Sequence, residues 1–389
     1  MKKSLFGILG ALLFGVLVAL ILKFRPAPSQ NAQNNLEQNA SSEVVPVAGD
    51  NLALPPADPK NSELGASELI IYTWANYTNP EIYQLFEKEY GIKIKEENFD
   101  SNDTLRSKLR SGDTPYDIVV PSDFSLQQLI QQGLLAELDF TAIMNLHNVM
   151  PRFLSLYSDP QNKYSVPYLW GTTGLGYNTS KVSPPPSSWA DIFEPQRLAS
   201  LTNRVSMLDD ARESIGAALK YLGYSLNSRN PEELEKARQV LERQKPAIAR
   251  YDTDTFRDFL ISGDMFLVHA WSSDVARAHT QRSEVRYVLP KEGGSLWADS
   301  LAIPKTSKHK KAAEAFINFI LRPEIGAKLI NELKFPCANE AARALIKPEI
   351  LEDHNIFPTE EAFAKLEWIQ DVGEATPLYE KIWADLKAK

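Results

Sequence analysis

Short apolar segments alternate with amphipathic helical segments through most of this chain, and this alternation is the strongest constraint on its fold. Residues 69–72 and 117–120 are candidate buried strands, because 69–72 and 118–120 are apolar runs. Between them, Asn79-Pro80 marks the start of a helix and Gly91 marks its end. Strands and helices that alternate at short spacing predict parallel strands with helices on both faces of a sheet.

The alternation resumes beyond a glycine-rich segment at residues 171–176. Residues 205–208 are a candidate strand, and a helix is expected over 210–222 because apolar side chains recur there on one face. The glycines at 171–176 match no nucleotide-binding pattern, so we interpret them as a flexible crossing. The chain is therefore expected to form two α/β lobes that hinge over a cleft. Further helices are expected at 231–244, 311–321 and 323–333.

The composition is that of a globular protein with room for two domains. The chain has 389 residues, of which 43% are hydrophobic and 24% are charged. A formal net charge of −8 argues against a nucleic-acid ligand, which requires basic patches. The single cysteine, Cys337, permits neither an intramolecular disulfide nor a cysteine-based metal cluster.

Residues 1–25 have the pattern of a signal peptide or a membrane anchor. Lys2 and Lys3 precede an uninterrupted apolar run at residues 5–22, which is just long enough to span a bilayer. No convincing cleavage site follows, so an uncleaved anchor is favoured over a cleaved signal. Both place the rest of the chain outside the cytoplasm. Residues 26–67 hold six prolines and no aromatic residue, which predicts a flexible linker.

Aromatic and acidic side chains follow several of the candidate strands. The face of an aromatic ring attracts an ammonium group, and a carboxylate binds it through charge-assisted hydrogen bonds. The recurrence of this pairing therefore predicts a pocket for an organic cation. The candidate residues are Trp74, Tyr77, Asp210, Glu213, Trp271, Trp297 and Asp299.

Each candidate also has a plainer structural interpretation. Asp210 and Glu213 stand three residues apart at a helix start, which is the spacing of a capping arrangement. Taken alone, Trp74 and Tyr77 are more typical of a lobe core than of a ligand site. Trp189 is expected to pack against a helix and is not a candidate. No catalytic motif is present: the histidines lack zinc-hydrolase spacing, and there is no nucleophile elbow or phosphate-binding loop.

From residue 69 to about residue 379 the chain resembles the periplasmic spermidine/putrescine-binding proteins of ABC importers. The resemblance covers nearly all of the predicted folded region and keeps the order and spacing of its motifs. The motifs are YTWANY at 72–77, GIKI at 91–94, FDSN at 99–102, YDIVVPS at 116–122, VPYLWG at 166–171, DDARE at 209–213, PKEGG at 290–294, WADSLAIP at 297–304 and LRP at 321–323.

The resemblance implies the two-lobed, type II periplasmic-binding-protein fold. This fold is α/β in class, and each lobe is a mixed sheet flanked by helices. One lobe would comprise residues 68–172 plus 298–343, and the other would comprise 173–297 plus 344–389. A polyamine, spermidine or putrescine, would lie in the cleft between the lobes.

The resemblance also implies the composition of the ligand site. Where relatives carry hydroxylated aromatic or amide side chains, this chain has Phe124, Phe335 and Ile369. These departures leave the preferred amine open. The implied aromatic box is Trp74, Tyr77, Trp271 and Trp297, and the implied carboxylates are Asp210, Glu213 and Asp299, with Ser122 near one terminal amine.

The implied function is to bind a polyamine outside the cytoplasm and to deliver it to an ABC-type permease in the membrane. A membrane-tethered polyamine sensor is the alternative, because an anchor and a linker suit both. No enzymatic activity, cofactor, metal or nucleic-acid partner is expected.

Overall fold

The computed structural model describes residues 61–112 and 114–388. The predicted signal or anchor, and residues 26–60 of the predicted linker, lie outside the described residues. Within the described ranges, no helix has both the length and the apolar character needed to cross a membrane.

Ten strands of the described chain form one mixed sheet. They are β1 Glu68–Thr73, β2 Lys93–Asn98, β3 Ile118–Val119, β4 Ser165–Asn178, β5 Val205–Met207, β6 Ile248–Tyr251, β7 Leu267–Trp271, β8 Val285–Val288, β9 Ser295–Ala302 and β10 Glu367–Trp368. Their order is β2-β1-β3-β9-β4-β7-β5-β6, with β8 beside β4 and β10 beside β9. Strands β1, β2 and β3 are parallel as the alternation predicts, but β9 is antiparallel to β3 and β4.

The helices occupy the positions that the sequence predicts, within a few residues. The helix after β1 shows why, because Asn79 accepts a hydrogen bond from Glu81 N at its start and Gly91 ends it with φ 67°. The helices are α1 Asn61–Leu64, α2 Pro80–Tyr90, α3 Asn102–Arg110, α4 Asp123–Gln131, α5 Ala190–Phe193, α6 Pro195–Leu198, α7 Ala211–Tyr221, α8 Pro231–Gln244, α9 Phe256–Ser262, α10 Ser272–Gln281, α11 Lys310–Ile320, α12 Pro323–Leu333, α13 Pro348–Leu351, α14 Glu360–Phe363 and α15 Thr376–Ala388. Short 3-10 turns lie at Met144–Asn148, Pro151–Phe153, Lys245–Ala247, Ala341–Leu345 and Gly373–Ala375.

Strand β4 joins two halves of the sheet. Its residues 165–172 pair with β9, and its residues 173–178 pair with β7 and β8. We call β1, β2, β3, β9 and β10, with the first part of β4, the first half of the sheet, and we call β5 to β8, with the second part of β4, the second half. The whole of β4 is buried. The prediction of a flexible crossing at 171–176 is therefore wrong, because this segment is part of a regular strand.

The glycines of β4 are explained by close neighbours. A Cβ atom at Gly174 would stand 2.5 Å from the carbonyl oxygen of Val288 and 2.6 Å from the hydroxyl of Tyr287. A Cβ atom at Gly171 would stand 2.3 Å from the ring of Trp297. These positions require glycine because other groups fill the space, and not because the strand bends there.

Separate hydrophobic cores lie against the two halves of the sheet. Phe86, Phe153 and Phe316 are fully buried in the core of the first half, and Trp189 and Phe193 are fully buried in the core of the second. Beyond residue 343 the chain contributes to both: 346–357 pack in the first core, and 372–386 pack in the second. The lobe boundaries given above stay a prediction, and these contacts favour a last crossing near residue 370.

Replacing Gly174 by alanine should lower the free energy of unfolding by about 1–3 kcal/mol, since the new methyl group forces backbone atoms apart. Urea denaturation of the full chain measures this. Gly216→Ala is the control, because Gly216 lies inside helix α7 and its Cβ would meet Leu226 at 3.2 Å. The helical gain from alanine should roughly offset that tight contact. Equal midpoints for Gly174→Ala and wild type would contradict this explanation of β4.

Candidate functional site

Three side chains on one face of β9 form a row along the candidate site, which we call the site line. Ser295, Trp297 and Asp299 are two residues apart, and alternate residues of a strand project to the same face. Trp297 pairs with Gly171 across the β4–β9 ladder. Because Gly171 has no side chain, the indole ring of Trp297 lies against the strand itself.

Asp299 forms one end of this line. Its side chain is buried, with 2% of the residue exposed, and its Oδ2 accepts a hydrogen bond of 2.6 Å from the Tyr77 hydroxyl. Ser122 forms a β-bridge with Asp299, so the loop before α4 is held against β9. Burial raises the pKa of Asp299 to about 6, against the opposing effect of hydrogen bonds from Ser122 and Tyr77.

A chain of aromatic rings extends from the Asp299 end. The ring centroids of Trp74 and Tyr77 are 6.3 Å apart, and Tyr77 lies 5.0 Å from Phe335. Phe335 in turn lies 5.9 Å from Trp297. The structure therefore brings Trp74, Tyr77 and Trp297 together, and it adds Phe335 as the ring that connects them.

Glu213 forms the other end of the line. It is 7% exposed, and its carboxylate accepts hydrogen bonds from Thr173 over 2.8 Å, from Ser295 over 2.7 Å and from the indole of Trp271 over 3.3 Å. Burial, with a smaller contribution from the charge of Asp210, raises the pKa of Glu213 to about 7. Ser295 of β9 and Thr173 of β4 thus hold this carboxylate against the same ladder that carries Trp297.

Asp210 has a different place from Glu213. It precedes helix α7, and its Oδ1 accepts from Arg212 N over 2.8 Å and from Glu213 N over 3.0 Å. The capping interpretation is therefore confirmed for Asp210. The Glu213 carboxylate instead reaches the sheet. The two acids therefore have different roles, although they are only three residues apart.

The structure places several residues at the site that the sequence did not predict. Thr173 lies in the segment interpreted as a flexible crossing, and Ser295 precedes the WADS motif by two positions. Asp123 follows Ser122, four residues beyond the end of β3, and is 2% exposed. A carboxylate shortly after a predicted strand was available as a signal for Asp123, because the same signal selected Asp210 three residues beyond β5.

Asp123 links the two ends electrostatically. The negative charges of Asp299 and Glu213 both raise its pKa, in addition to the larger effect of burial. Residues from both halves of the sheet therefore lie within interaction range of one another. Over residues 61–112 and 114–388, no group of three or more His, Cys, Asp or Glu side chains could hold a metal ion.

Comparisons with known proteins identify the family of this chain. Residues 81–359 match the family of bacterial extracellular solute-binding proteins. The spermidine/putrescine-binding periplasmic protein of Salmonella typhimurium is 37% identical over 322 residues, which are 82% of this chain and 91% of that protein. The putrescine-binding periplasmic protein SpuD of Pseudomonas aeruginosa is 34% identical, over 82% of this chain and 92% of that protein.

A comparison with solved structures also finds substrate-binding proteins of ABC transporters. The spermidine/putrescine substrate-binding protein PotD of Streptococcus pneumoniae superposes with a TM-score of 0.76 and 33% identity, covering 83% of this chain and 99% of that one. The fold is the two-lobed type II periplasmic-binding-protein fold. The chain belongs to the bacterial extracellular solute-binding proteins.

The raised pKa values of Glu213 and Asp299 predict how stability depends on pH. Their ordinary pKa values are near 4.5 and 3.8, so the unfolded chain loses these protons first as the pH rises. The folded state then binds more protons at these two groups, and their contribution to the free energy of unfolding falls between about pH 4 and pH 7. Glu213→Gln removes the contribution of Glu213. The free energy of unfolding of the variant, relative to that of wild type, should therefore increase over this pH range by on the order of 3 kcal/mol.

Chemical denaturation of the amine-free full chain at pH 4.5 and pH 8 measures this difference. Glu380→Gln is the control, because Glu380 is exposed on α15 and far from the sheet ladder in sequence. The difference in free energy of unfolding between this control and wild type should be the same at both pH values. A flat difference for Glu213→Gln as well would contradict the effect of burial described here.

Proposed function

We propose that this protein binds a linear polyamine between the two halves of its sheet, outside the cytoplasm, and delivers it to an ABC-type permease. The observation that carries the proposal is the line along one face of β9, where Ser295 holds Glu213, Trp297 lies against Gly171 and Asp299 ends the row. Relatives named for spermidine and putrescine binding support the same ligand class. The proposed role is binding and not catalysis.

The chemistry of the line suits a cation with an apolar chain. The raised pKa values of Asp299 and Glu213 reflect the free-energy cost of buried negative charge. An ammonium group beside each carboxylate offsets that cost and favours the ionised form. The rings of Trp297, Trp74 and Tyr77 supply apolar surface for methylene groups and π-faces for the ammonium charge.

The length of the line favours a ligand with separated charges. Ser295 and Asp299 are four residues apart on β9, which corresponds to about 13 Å along a strand. A single small cation contacts one end of such a line. A polyamine chain reaches both ends, so we expect a triamine such as spermidine to bind at least as well as a diamine.

The route to the membrane is part of the proposal. The relatives are named as periplasmic, and residues 1–25 have the pattern of a signal or an anchor. We propose that this segment directs export and that residues 5–22 keep the protein at the inner membrane. The predicted linker at 26–67, whose residues 61–64 form helix α1, would then let the binding region reach a permease.

Asp299→Asn should weaken spermidine binding by about 2–5 kcal/mol, the cost of removing one partner of a buried charge pair. The wild-type full chain should bind with micromolar or better affinity, or about −8 kcal/mol. Isothermal titration calorimetry measures both. Asp117→Asn is the control, because Asp117 is equally buried but accepts hydrogen bonds from Ile70 N and Ser307. Saturable binding of an anion with no amine binding would overturn the proposed function.

Amine binding should also close the two halves of the sheet on each other. Arg277 of α10 lies 5.3 Å from the ring of Phe335, which is a contact between elements of different halves. A ligand that contacts rings of both halves, Tyr77 in the first and Trp271 in the second, shifts the population toward the closed form. Small-angle scattering of the full chain should give a smaller radius of gyration with saturating spermidine than without it. Identical curves would show a rigid site and leave only the binding assignment standing.

A further inference from the structure

Asp123 is a buried carboxylate that neither the family resemblance nor the site line accounts for. It is the first residue of helix α4, directly after Ser122, and 2% of it is exposed. Its Oδ1 accepts a hydrogen bond of 2.7 Å from the backbone N–H of Phe124. Ser122 is in turn bridged to Asp299, so the two aspartates are held near each other by the backbone.

The second oxygen of Asp123, Oδ2, is buried and makes no hydrogen bond of normal geometry with the described residues. The Tyr157 hydroxyl lies between the Asp123 carboxylate and the backbone carbonyl of Ile369, and it has one proton for these two acceptors. A buried carboxylate oxygen left in this condition costs stability unless something else binds it.

The cationic side chains around this part of the site have other partners. Arg106, which contacts the Phe124 ring and Ser125, pairs with Asp103. Arg277 donates to Asp274 over 2.6 Å. Arg212 donates to the carbonyl of Gln370 over 2.7 Å and to Asn227 over 2.9 Å. None of these arginines therefore neutralises Asp123, although Arg277 and Arg212 lie close to other residues of the site.

We propose that Asp123 is a further ligand-binding carboxylate, which shares one primary ammonium group of the polyamine with Asp299. This inference rests on the proposed function and deepens it. A primary ammonium has three N–H donors, and Asp123 Oδ2 with the Asp299 carboxylate offers acceptors on two sides of it. An internal secondary ammonium has only two donors, so this end of the site selects a chain terminus.

A purely structural role for Asp123 predicts different behaviour. A carboxylate that stabilises the fold has donors on both oxygens, as Asp159 does: it accepts from Lys163 N, Tyr164 N and the Ser165 hydroxyl. Asp123 lacks such a set. Its replacement by asparagine should therefore stabilise the amine-free protein, because a buried charge is removed. It should also weaken amine binding, because the ammonium group loses an ionic partner.

The experiment compares wild type, Asp123→Asn and Asp159→Asn in the full chain, with spermidine and putrescine as the titrants. Asp123→Asn should weaken both affinities by at least about 30-fold in calorimetry, because both titrants end in a primary ammonium. It should also raise the melting temperature of the amine-free protein. Asp159→Asn should do the opposite, lowering the melting temperature and leaving the affinity of the folded protein unchanged.

Asp123→Ser is the second variant, and it should show the same loss of affinity if Asp123→Asn does not fold. Unchanged affinity in a folded Asp123 variant, with wild type binding amines, would overturn the role of Asp123 and leave the proposed function intact. No amine binding by wild type would overturn the proposed function itself. A lower melting temperature for Asp123→Asn with unchanged affinity would assign the residue to the fold.

Discussion

The pairing of β4 with β9 is the interaction on which the rest of this structure depends. Strand β4 crosses from one half of the sheet to the other, and β9 lies along its first part. Both ends of the candidate site are attached to this ladder, Glu213 through Thr173 and Ser295, and Asp299 directly. Because one ladder fixes both carboxylates, their separation is set by strand geometry rather than by loops. A site of fixed length is what recognition of a chain-like ligand requires.

The site contains buried carboxyl groups whose ionised form lowers the stability of the fold. Burial raises the pKa of Glu213 to about 7 and that of Asp299 to about 6, so the amine-free protein holds these groups at a cost in stability. The same burial strengthens any ammonium–carboxylate contact made there. Stability and binding are therefore opposed at these positions, which is the expected behaviour of a functional site.

The sequence predicted the elements better than it predicted their pairing. Caps and apolar periodicity placed α2, α8 and α12 closely, because these signals are local. The direction of β9 and the strand nature of residues 171–176 depend on partners far along the chain, which local patterns do not reveal. The same limit applies to the site: Asp210 and Glu213 have similar local signals, yet the first caps α7 and the second reaches the sheet.

The departures at Phe335 and Ile369 change how the site is supported more than what it offers a cation. Phe335 gives no hydroxyl, but its ring contacts Tyr77, Trp297 and Arg277 and so completes the aromatic row. Ile369 gives no amide, but its carbonyl accepts the proton of Tyr157, and the next carbonyl accepts from Arg212. The backbone at 369–370 thereby competes with the acids for two donors, Tyr157 and Arg212. A carboxylate that shares its donor in this way keeps acceptor capacity for an ammonium group, which is the role proposed for Asp123.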